Sequence, residues 1–457
     1  MIVPPVDRGG HGLWAEAPLT RRTRYPYETR GDLMKKTQQE KLQARQINPP
    51  NGLLYSGLMQ IVKLLNRQIH TTFHFKADPR QDSGPYVIIS NHASRVDYQF
   101  TGPACYPRKL NFVVGYNEFM RFPICLILKW AQAIPKKNFT PDLYCMRQMR
   151  RVIQQGGCLC LMPEGMSSIT GMAQPVMIGT GKFLKMLGVT VYYTKVSGGY
   201  LTYTKHCLDR RVGRVEVTVD RMFTAEELKD LPAQAVEDTM NRLLAHDDYI
   251  WNREAQVAFG GKGQMAKNLD TLLYLCPKCG ALHQMECCGN QMRCTACGNT
   301  VEVDEKYNLR PVGSESQCPE LISDWVLLER KKAEEDVKDP AFTYSGHVRV
   351  GMLPAYKTLR GEYTSEICGE GQLSLDRSGL HFDGTVKGRP YAFHLTTDQV
   401  PTFGMCTDIS RFYTFVDGEF IEFYPEGRDV LRWDHLTEEM HRINGGKWQN
   451  TPYRHCK

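Results

Sequence analysis

Apolar and polar positions follow two different periods along the first half of the chain. Between residues 86 and 219, short apolar runs typical of buried strands alternate with stretches of helical periodicity. The strand candidates are "YVIIS" (86–90), "LNFVVG" (110–115), "CLCLMP" (158–163), "VTVYYTKV" (189–196) and "RVEVTV" (214–219). The helix candidates cover 97–104, 122–133, 140–155 and 178–187, and another follows Pro232. This alternation predicts an α/β fold in which helices flank a largely parallel sheet.

A single helical stripe of apolar residues precedes the first of these strands, between Gly52 and Ile69. The stripe consists of Leu54, Leu58, Ile61, Val62, Leu65 and Ile69, and it is widened by Leu53, Met59 and Leu64. Two interpretations stay open for this helix. It either packs on the core of the protein or lies in the interface of a membrane.

The pattern changes to short alternating strands from about Phe342 onward, as in "GQLSLD", "GLHFDG" and "RFYTFVDGEFIEFY". An amphipathic helix, "ELISDWVLLERKKAEEDVKDP", precedes these strands, and a last helix, "DHLTEEMHRI", follows them. Strands closed off by one C-terminal helix are similar to a pleckstrin-homology or GRAM-like barrel, by analogy of pattern alone. We therefore predict a small β-rich domain with a C-terminal helix.

These changes of pattern divide the chain into four segments. Residues 1–50 are rich in Pro, Arg, Gln and Gly without periodicity, which predicts a poorly ordered basic tail, with a short helix near "KKTQQEKLQ" as an open alternative. The α/β pattern fills 51–260, a small cysteine-rich module covers 270–306, and the helix with the β-rich domain covers 318–457.

Charge and cysteine usage bear on the location of the protein. The sixteen cysteines are scattered except for one cluster, which favours a reducing compartment. No apolar run reaches the roughly eighteen residues of a membrane-spanning helix, and the first residues lack the layout of a secretory signal. A net charge of +7 favours anionic lipid surfaces. We expect a cytoplasmic protein that is peripheral on the inner face of the membrane.

The cysteine cluster contains two knuckles, "CPKCG" and "CTACG", with fourteen residues between Cys279 and Cys294. This spacing is that of a zinc ribbon, in which Cys276, Cys279, Cys294 and Cys297 supply four thiolates to a structural zinc ion. Three residues between the knuckles could compete as ligands, namely His283, Cys287 and Cys288. A structural zinc replaces a core that is too small to hold itself together.

His92 and Asp97 come directly after the strand candidate "YVIIS", in the stretch "NHASRVD" (91–97). In an α/β sheet, ligands bind outside the carboxyl ends of the strands, so reactive groups are well placed there. A histidine is a useful general base near neutral pH, and a carboxylate on its other ring nitrogen fixes the tautomer. Asp97 could equally be a helix N-terminal residue that the helix dipole favours.

A second motif, "MPEGMSS" (162–168), follows the strand candidate "CLCLMP" and places a carboxylate at the same edge of the sheet. Together the two motifs resemble those of the PlsC-type glycerolipid acyltransferases, the 1-acyl-sn-glycerol-3-phosphate acyltransferase family. The matching residues are Asn91, His92 and Asp97 for the family's N-H-x4-D motif and Pro163, Glu164 and Gly165 for its P-E-G-T-R-S motif. The family's fourth block is matched by "GVTVYYTKVSGGY" (188–200), and the resemblance extends from Gly52 to Phe223.

The resemblance implies an O-acyltransferase of phospholipid biosynthesis. Such an enzyme moves a fatty acyl group from acyl-CoA or acyl carrier protein to the hydroxyl of a lysophospholipid at a membrane surface. His92 would act as the general base and Asp97 would orient it. Asn91, Glu164 and Gly165 would belong to the substrate-binding site.

The chain departs from the family's pattern at two points. Tyr193 replaces the proline of the family's fourth block, in the region that would shape the acyl pocket. Met166 and Ser167 stand where the family has Thr-Arg, so the arginine that would hold the acceptor's phosphate is absent. Ser167 remains a candidate for substrate binding. The cations that could replace the arginine are Arg95, Arg121, Lys136 and Lys137, each of which could equally be solvated surface charge.

Two other functions compete with acyl transfer. A degenerate relative could bind lipid without transferring an acyl group, as the missing arginine suggests. An adaptor built on the zinc ribbon is the second alternative. Between Cys276 and Cys297, Lys278 and Arg293 are the only Lys or Arg residues and Phe, Tyr and Trp are absent, so we expect no nucleic-acid partner.

Overall fold

The computed structural model describes residues 36–361 and 363–447 of the chain. Its first eight strands are β1 (Thr71–Phe75), β2 (Tyr86–Ser90), β3 (Leu110–Gly115), β4 (Arg121–Phe122), β5 (Ile134–Lys136), β6 (Cys158–Leu161), β7 (Thr190–Ser197) and β8 (Val215–Phe223). Seven of them form one sheet in the order β1-β8-β7-β2-β6-β3-β5. All neighbours pair in parallel except β7 and β8, which are antiparallel. The predicted largely parallel sheet is confirmed.

Ten helices accompany this sheet among the described residues. They are α1 (Gln38–Gln43), α2 (Gly52–Gln68), α3 (Tyr98–Cys105), α4 (Ile124–Trp130), α5 (Leu143–Gln154), α6 (Thr180–Leu187), α7 (Gly199–Thr202), α8 (Ala225–Asp230), α9 (Ala233–Leu244) and α10 (Asp248–Ala255). Helices cover both faces of the sheet. Successive side chains of a strand point to opposite faces, so each central strand packs against helices on both sides. Val87 packs in one apolar cluster with Met149 of α5, whereas Ile88 packs with Cys105 of α3 on the opposite face.

Residues 36–50 are folded, although the sequence analysis placed them in a poorly ordered tail. Thr37 and Glu40 form a capping box at the start of α1, each side chain accepting the other residue's N–H at 3.1 and 2.8 Å. Ile47 is fully buried, and its N–H donates to the side chain of Gln148. The short helix that the sequence allowed near "KKTQQEKLQ" is present as α1, whereas composition did not reveal the buried anchor Ile47. The rest of the predicted tail, residues 1–35, lies outside the described residues.

Helix α2 divides the predicted apolar stripe between two faces. Tyr55, Met59 and Val62 are buried and pack together as one cluster against the sheet side of the molecule. The opposite face carries exposed apolar side chains, with exposed fractions of 88% for Leu53, 58% for Leu54, 59% for Ile61 and 57% for Leu64. The helix is therefore packed on the core by one face and leaves an apolar face uncovered.

The cysteine-rich module is a small antiparallel sheet of order β12-β11-β10-β9. Its strands are β9 (Met285–Cys288), β10 (Gln291–Cys294), β11 (Thr300–Val303) and β12 (Leu309–Pro311). One knuckle precedes β9, and the other turns the chain from β10 into β11. This arrangement places the two knuckles at the same end of the module, since β9 and β10 form a hairpin.

The C-terminal region is a seven-stranded antiparallel sheet with two helices, which confirms the predicted β-rich fold and final helix. Its elements are α11 (Ile322–Val337), β13 (Tyr344–Met352), β14 (Leu359–Arg360), β15 (Glu366–Asp376), β16 (Gly379–Val386), β17 (Arg389–Leu395), β18 (Gly404–Met405), β19 (Phe412–Val416), β20 (Glu419–Pro425) and α12 (Val430–Ile443). The order is β17-β16-β15-β13-β20-β19-β18, and β14 lies outside this sheet. The likeness to a pleckstrin-homology or GRAM barrel stays a prediction.

The C-terminal region is joined to the α/β unit by backbone and side-chain contacts. Strand β14 pairs in parallel with β4 of the α/β unit. The Lys137 ammonium donates to the carbonyl of Gly418 at 2.6 Å, and the Asn138 amide donates to the Tyr413 hydroxyl at 3.2 Å. One apolar cluster also runs from Met166 through Trp325 to Phe412. These contacts hold the C-terminal region against the side of the α/β unit that carries the second motif.

Candidate active site

Parallel pairing brings the two sequence motifs to one edge of the sheet. Ile89 of β2 lies beside Leu161 of β6, and Ser90 lies beside Thr194 of β7. The three strands end within a few residues of these positions. Their carboxyl ends therefore deliver the loops after residues 90, 161 and 197 to the same place, where ligands bind in sheets of this kind.

His92 and Asp97 form a hydrogen-bonded pair at this edge. His92 Nδ1 lies 2.8 Å from Asp97 Oδ2. The other oxygen of Asp97 accepts from the backbone N–H and the hydroxyl of Ser94, at 2.9 and 2.7 Å. The Asp97 side chain is 1% exposed and that of His92 is 23% exposed. The carboxylate is thus fixed in place, while the imidazole reaches toward solvent.

Asp97 also stands at the N-cap position of α3, which was the alternative reading of this residue. Its side chain makes no capping hydrogen bond to the helix. Both of its oxygens are instead used by His92 and Ser94. The geometry is that of a carboxylate that orients an imidazole, with His92 Nε2 left for a substrate.

Glu164 holds the loop of the first motif from the neighbouring strand. Its Oε1 accepts the backbone N–H of His92 at 2.8 Å, and its Oε2 accepts that of Gln174 at 2.9 Å. Glu164 is 1% exposed. Burial raises the pKa of this carboxyl to about 7, against the opposing effect of the N–H groups of Gln174 and His92. Glu164 therefore positions the backbone of His92.

The remaining motif residues are Asn91, Gly165 and Ser167, and each lies within the folded chain. The Asn91 amide bridges β2 to β7, donating to the carbonyl of Val196 and accepting its N–H at 2.9 and 2.8 Å. Gly165 has a φ of +81°, which a side chain would strain, and a Cβ there would lie 3.3 Å from the Phe139 ring. Ser167 is 8% exposed. Asn91, in particular, has both polar ends of its amide occupied by the chain itself.

The four candidate cations differ in their surroundings. The Arg121 guanidinium is paired with the Glu118 carboxylate at 2.9 Å. The ammonium groups of Lys136 and Lys137 donate to backbone carbonyls of the chain. Burial lowers the pKa of Lys137, whose ammonium also lies over the Tyr116 ring. Arg95 alone among the four lies within the first motif, three residues after His92.

A second imidazole–carboxylate pair, His246 and Asp248, was not selected by the sequence analysis. His246 Nε2 lies 2.6 Å from Asp248 Oδ1, and both residues are buried. Asp248 also accepts the backbone N–H groups of Gly198 and Tyr200 at 2.7 and 2.8 Å. The only signal in the sequence is the string "HDD" at 246–248, which has no partner nearby along the chain.

His92 and His246 line one small cavity at the sheet edge. The other polar lining residues are Asn91, Glu164, Ser168 and Asp248. The loop between them is held at both ends, since the N–H of Ser168 donates to the carbonyl of His92 and the N–H of Ala173 donates to that of His246. The second pair therefore supports the same loops that position the first one.

The residue in place of the family's threonine, Met166, is covered by the C-terminal region. Its sulfur accepts the backbone N–H of Met405 at 3.1 Å, and it is 5% exposed. A methionine fills an irregular apolar gap well because its side chain is unbranched and flexible. The departure from the motif thus coincides with a contact between the two parts of the molecule.

The four predicted zinc ligands come together in the cysteine-rich module. All four sulfurs lie within 4.8 Å of one another, and the Cys276–Cys297 and Cys279–Cys294 separations are 3.7 and 3.8 Å. A tetrahedron with metal–sulfur bonds of about 2.3 Å has edges of about 3.8 Å. The donor set therefore fits a tetrahedral metal ion.

Both knuckles share one backbone geometry. The N–H of Gly280 donates to the carbonyl of Cys276 and that of Gly298 to Cys294, at 3.0 and 2.9 Å. Both glycines have a φ of +73°, the left-handed conformation that such a turn requires. The three competing ligand candidates were His283, Cys287 and Cys288. Among the described residues, the group that could hold a metal ion consists of the four knuckle cysteines and does not include them.

None of the helices within the described residues combines the length and apolar character needed to cross a bilayer.

Comparison with known proteins places the α/β unit in a class. Residues 70–194 match the family model described as Acyltransferase, a segment that contains both motifs. The chain thus carries an acyltransferase domain, as the resemblance predicted, over less than a third of its 457 residues. This match supports a role in acyl transfer in general terms.

One similar solved structure is the 1-acyl-sn-glycerophosphate (LPA) acyltransferase PlsC from Thermotoga maritima. It has 14% sequence identity and a TM-score of 0.35, and the likeness covers 42% of this chain and 78% of that chain. No curated protein matches the chain.

Proposed function

We propose that the protein transfers a fatty acyl group from a thioester donor, acyl-CoA or acyl carrier protein, to the hydroxyl of a lysophospholipid acceptor. The single observation that carries the proposal is the His92–Asp97 hydrogen bond of 2.8 Å, inside a segment that matches the acyltransferase family. An O-acyltransferase of the 1-acylglycerol-3-phosphate type, acting in phospholipid biosynthesis, is the activity that fits these residues.

The mechanism assigns one proton to His92. Its Nε2 takes the proton of the acceptor hydroxyl while the hydroxyl oxygen attacks the thioester carbon. The imidazolium is stabilised by Asp97, which is bonded to Nδ1. When the tetrahedral intermediate collapses, the carbon–sulfur bond breaks and the thiolate takes the proton from the imidazolium. The products are the ester and the free thiol, and no covalent enzyme intermediate forms.

The other motif residues contribute position. Glu164 fixes the His92 backbone from β6, and Gly165 allows the tight turn beside it. Asn91 locks β2 to β7 below the histidine. Ser167, Arg95, Arg121, Lys136 and Lys137 remain candidates for contact with the substrate, of which Arg95 is nearest to His92 along the sequence.

We assign a structural zinc ion to the four cysteines. The separations between the sulfurs fit a tetrahedral site, and both knuckles use the same glycine turn. A zinc ion there would hold the two knuckles together at one end of the small sheet. It has no step in the transfer reaction.

We place the protein on the cytoplasmic, inner face of a membrane, bound at the interface. Two apolar surfaces support this location. One is the exposed face of α2, and the other is formed by exposed side chains in and beside α4, among them Ile127 at 47% and Trp130 at 61%. Lys63 and Arg67 of α2 supply positive charge for anionic headgroups.

Lipid mass spectrometry tests the reaction. Purified protein is incubated with acyl-CoA and a panel of lyso-acceptors, and the acylated products are measured. We expect His92→Ala to lower the rate by at least about a hundredfold, as is typical when a general base is lost. His74→Ala, which removes an exposed histidine on β1, is the matched control and should keep the wild-type rate.

A different outcome would favour binding without transfer, the function that the missing arginine suggests. In that case the wild-type protein would bind the lyso-acceptors but produce no acylated lipid with any donor. A His92→Ala protein as active as the wild type would contradict the mechanism itself.

Vesicle sedimentation tests the membrane contact. Leu54→Glu with Ile61→Glu alters only the exposed face of α2, so the fold should be kept while binding to anionic vesicles drops at least tenfold. Gln60→Glu, an exposed polar position of the same helix, is the control. Unchanged vesicle binding by the double variant would move the membrane contact elsewhere.

A further inference from the structure

The exposed apolar faces of α2 and α4 lie next to each other. The Asn111 amide donates to the carbonyls of both Asn48 and Gln132 at 2.9 Å, so the chain before α2 lies beside the chain after α4. The N–H of Asn48 also donates to the side chain of Gln132 at 3.2 Å. Helix α2 begins shortly after Asn48, and Trp130 closes α4 shortly before Gln132. The apolar side chains at the start of α2 therefore border those of α4.

Strand β14 extends this surface into the C-terminal region. It pairs in parallel with β4, so Leu359 lies beside Arg121 and Arg360 lies beside Phe122. Successive side chains of a strand point to opposite faces, so the two pairs of residues face opposite ways. Leu359 is 6% exposed and Arg121 is paired with Glu118, which places this pair on the inner face. Arg360 is exposed and Phe122 is 44% exposed, so this pair lies on the outer face.

Arg360 is a cation that lies on an exposed aromatic ring. Its guanidinium carbon is 5.6 Å from the centre of the Phe122 ring, and Tyr363 nearby along the chain is 70% exposed. Such an arginine keeps its charge in water while its stem covers apolar surface. Aromatic rings and cations in this combination are typical of the boundary between the headgroups and the acyl chains of a bilayer.

The two chain segments that form this surface contain cations but no carboxylates. Residues 121–131 and 353–361 include neither Asp nor Glu. Lys129 lies in the first segment and Arg360 in the second, and neither has an ion-pair partner within the part of the chain that the structure describes. An apolar surface with cations that are not neutralised matches a bilayer that contains anionic lipid.

The C-terminal segment is held firmly behind this surface. Leu353 and Phe415 of the C-terminal region pack against the buried apolar cluster that contains Phe119. The N–H of Gln38 in α1 donates to the carbonyl of Ala355 at 2.6 Å. The outer face of β4 and β14 is therefore already assembled in the protein, which lowers the cost of ordering it when a partner binds.

We propose that β14 belongs to the membrane-binding surface, so that the C-terminal region contacts the bilayer together with α2 and α4. The rings of Phe122 and Trp130 enter the boundary of the acyl chains, while Lys129 and Arg360 bind lipid phosphates. The inference rests on the membrane location given in the proposed function. It adds the C-terminal region to that contact and thereby fixes how this region is oriented on the bilayer.

Hydrogen exchange on vesicles locates the contact. The full-length protein is measured with and without vesicles of phosphatidylcholine and phosphatidylglycerol in equal parts. We expect slower exchange in residues 353–361 and 121–131 as well as in α2, and no change in α11. Protection confined to α2 would overturn the inference and leave the membrane location intact. No binding to the vesicles at all would overturn the inference and the membrane location, but not the reaction.

Neutralising Arg360 tests the cation. Arg360→Gln should lower the affinity for anionic vesicles about fivefold, because this is the contribution of one basic side chain near the surface, and binding to neutral vesicles should stay unchanged. Lys331→Gln is the matched control. Lys331 is an exposed cation of α11, a helix that packs on α12 and on the cysteine-rich module. Unchanged affinity of the Arg360→Gln protein for anionic vesicles would overturn the inference.

Removing the two rings tests the apolar part of the surface. Phe122→Ser with Trp130→Ser should weaken binding to anionic and neutral vesicles at least tenfold. Both side chains are exposed, at 44% and 61%, so the Tm should stay at the wild-type value. Wild-type vesicle binding by this double variant would overturn the inference. If the double variant does not fold, Arg360→Gln decides the question alone.

Two other occupants of the surface would give different results. If a second copy of the chain covers it, sedimentation without lipid shows a dimer that the Phe122 and Trp130 double variant dissociates. If an acidic acyl carrier protein docks there, the double variant loses binding to the carrier protein and keeps binding to vesicles. Either result would overturn the inference. A protein that binds vesicles through this surface but transfers no acyl group would overturn only the proposed reaction.

Discussion

The four-cysteine cluster and the His92 edge are built in opposite ways. All ligands of the cluster come from residues 276–297, and each knuckle closes its own turn within five residues. The His92 edge draws side chains from residue 91 to residue 248, which only the sheet brings together. The cluster depends on local geometry, whereas the edge depends on the register of three strands.

This difference decides which contacts can be predicted from the sequence. The Cys-x2-Cys spacing predicts both the cysteines of the group and the turn that each pair forms. The four residues could therefore be named from the sequence. For the His92 edge, only the two residues within one turn of each other, His92 and Asp97, could be paired.

The largest effect is expected at the cluster. Cys276→Ser or Cys294→Ser should release the metal ion and destabilise the module by about 5 kcal/mol or more, because metal binding supplies most of its folding free energy. Metal analysis and hydrogen exchange would measure this, with the loss of protection concentrated in residues 270–306.

The matched control is Cys288→Ser. Cys288 is exposed on β9 in the same module but outside the group of four. It should keep one metal ion per chain. Full metal retention in the Cys276 and Cys294 variants would refute the four-thiolate site and break the comparison.

At the His92 edge, the largest loss of folding stability is expected for Asp248→Asn. The amide cannot accept as many hydrogen bonds as the carboxylate, which serves His246 and three backbone N–H groups. We expect a loss of about 3 kcal/mol in the free energy of unfolding and a lower transfer rate. Metal content should not change. A drop in metal content would mean that the two regions are one cooperative unit.

A smaller effect is expected for Glu164→Gln. The amide would set its NH2 group against one of the two backbone N–H donors, so one hydrogen bond is lost, at a cost of about 1–3 kcal/mol. Denaturant unfolding at pH 5 would measure this. Glu226→Gln, on a solvent-exposed first turn, is the control.

The pH dependence of folding stability gives a second test of the Glu164→Gln variant. Burial raises the pKa of Glu164 from 4.5 to about 7, so the folded chain binds this proton more tightly than the unfolded chain does. Stability from this group is therefore present below about 4.5 and is lost as pH rises toward 7. Glu164→Gln should flatten that part of the stability profile. An unchanged slope would mean that Glu164 is ionised throughout.

The sequence predicted the positions of strands and helices better than it predicted which face of an element is buried. The strands 86–90 and 110–115 coincide with β2 and β3, because buried parallel strands read as continuous apolar runs. The stripe of α2 was predicted as one surface, but Val62 is buried while Ile61 is exposed. Apolar residues on both sides of a helix hide which side meets the core, and only the neighbours of the helix decide it.

Long-range partners were the part that could not be predicted. Nothing near His246 along the chain indicates that Asp248 would hold the backbone of Gly198. Likewise, Met166 could be recognised as a departure from a motif but not as a contact of Met405. Each of these pairs depends on how separate segments fold onto one another, which local patterns do not encode.

The contact between Met166 and Met405 has a consequence for the synthesis of the protein. The two residues are 239 positions apart, so at about 5–20 residues per second a ribosome needs about 10–50 s between them. During that interval the nascent chain already contains His92 and Asp97, but the apolar side of the loop beside them has no cover. The pair of His92 and Asp97 is synthesised early in translation, and its surroundings are completed only near the end.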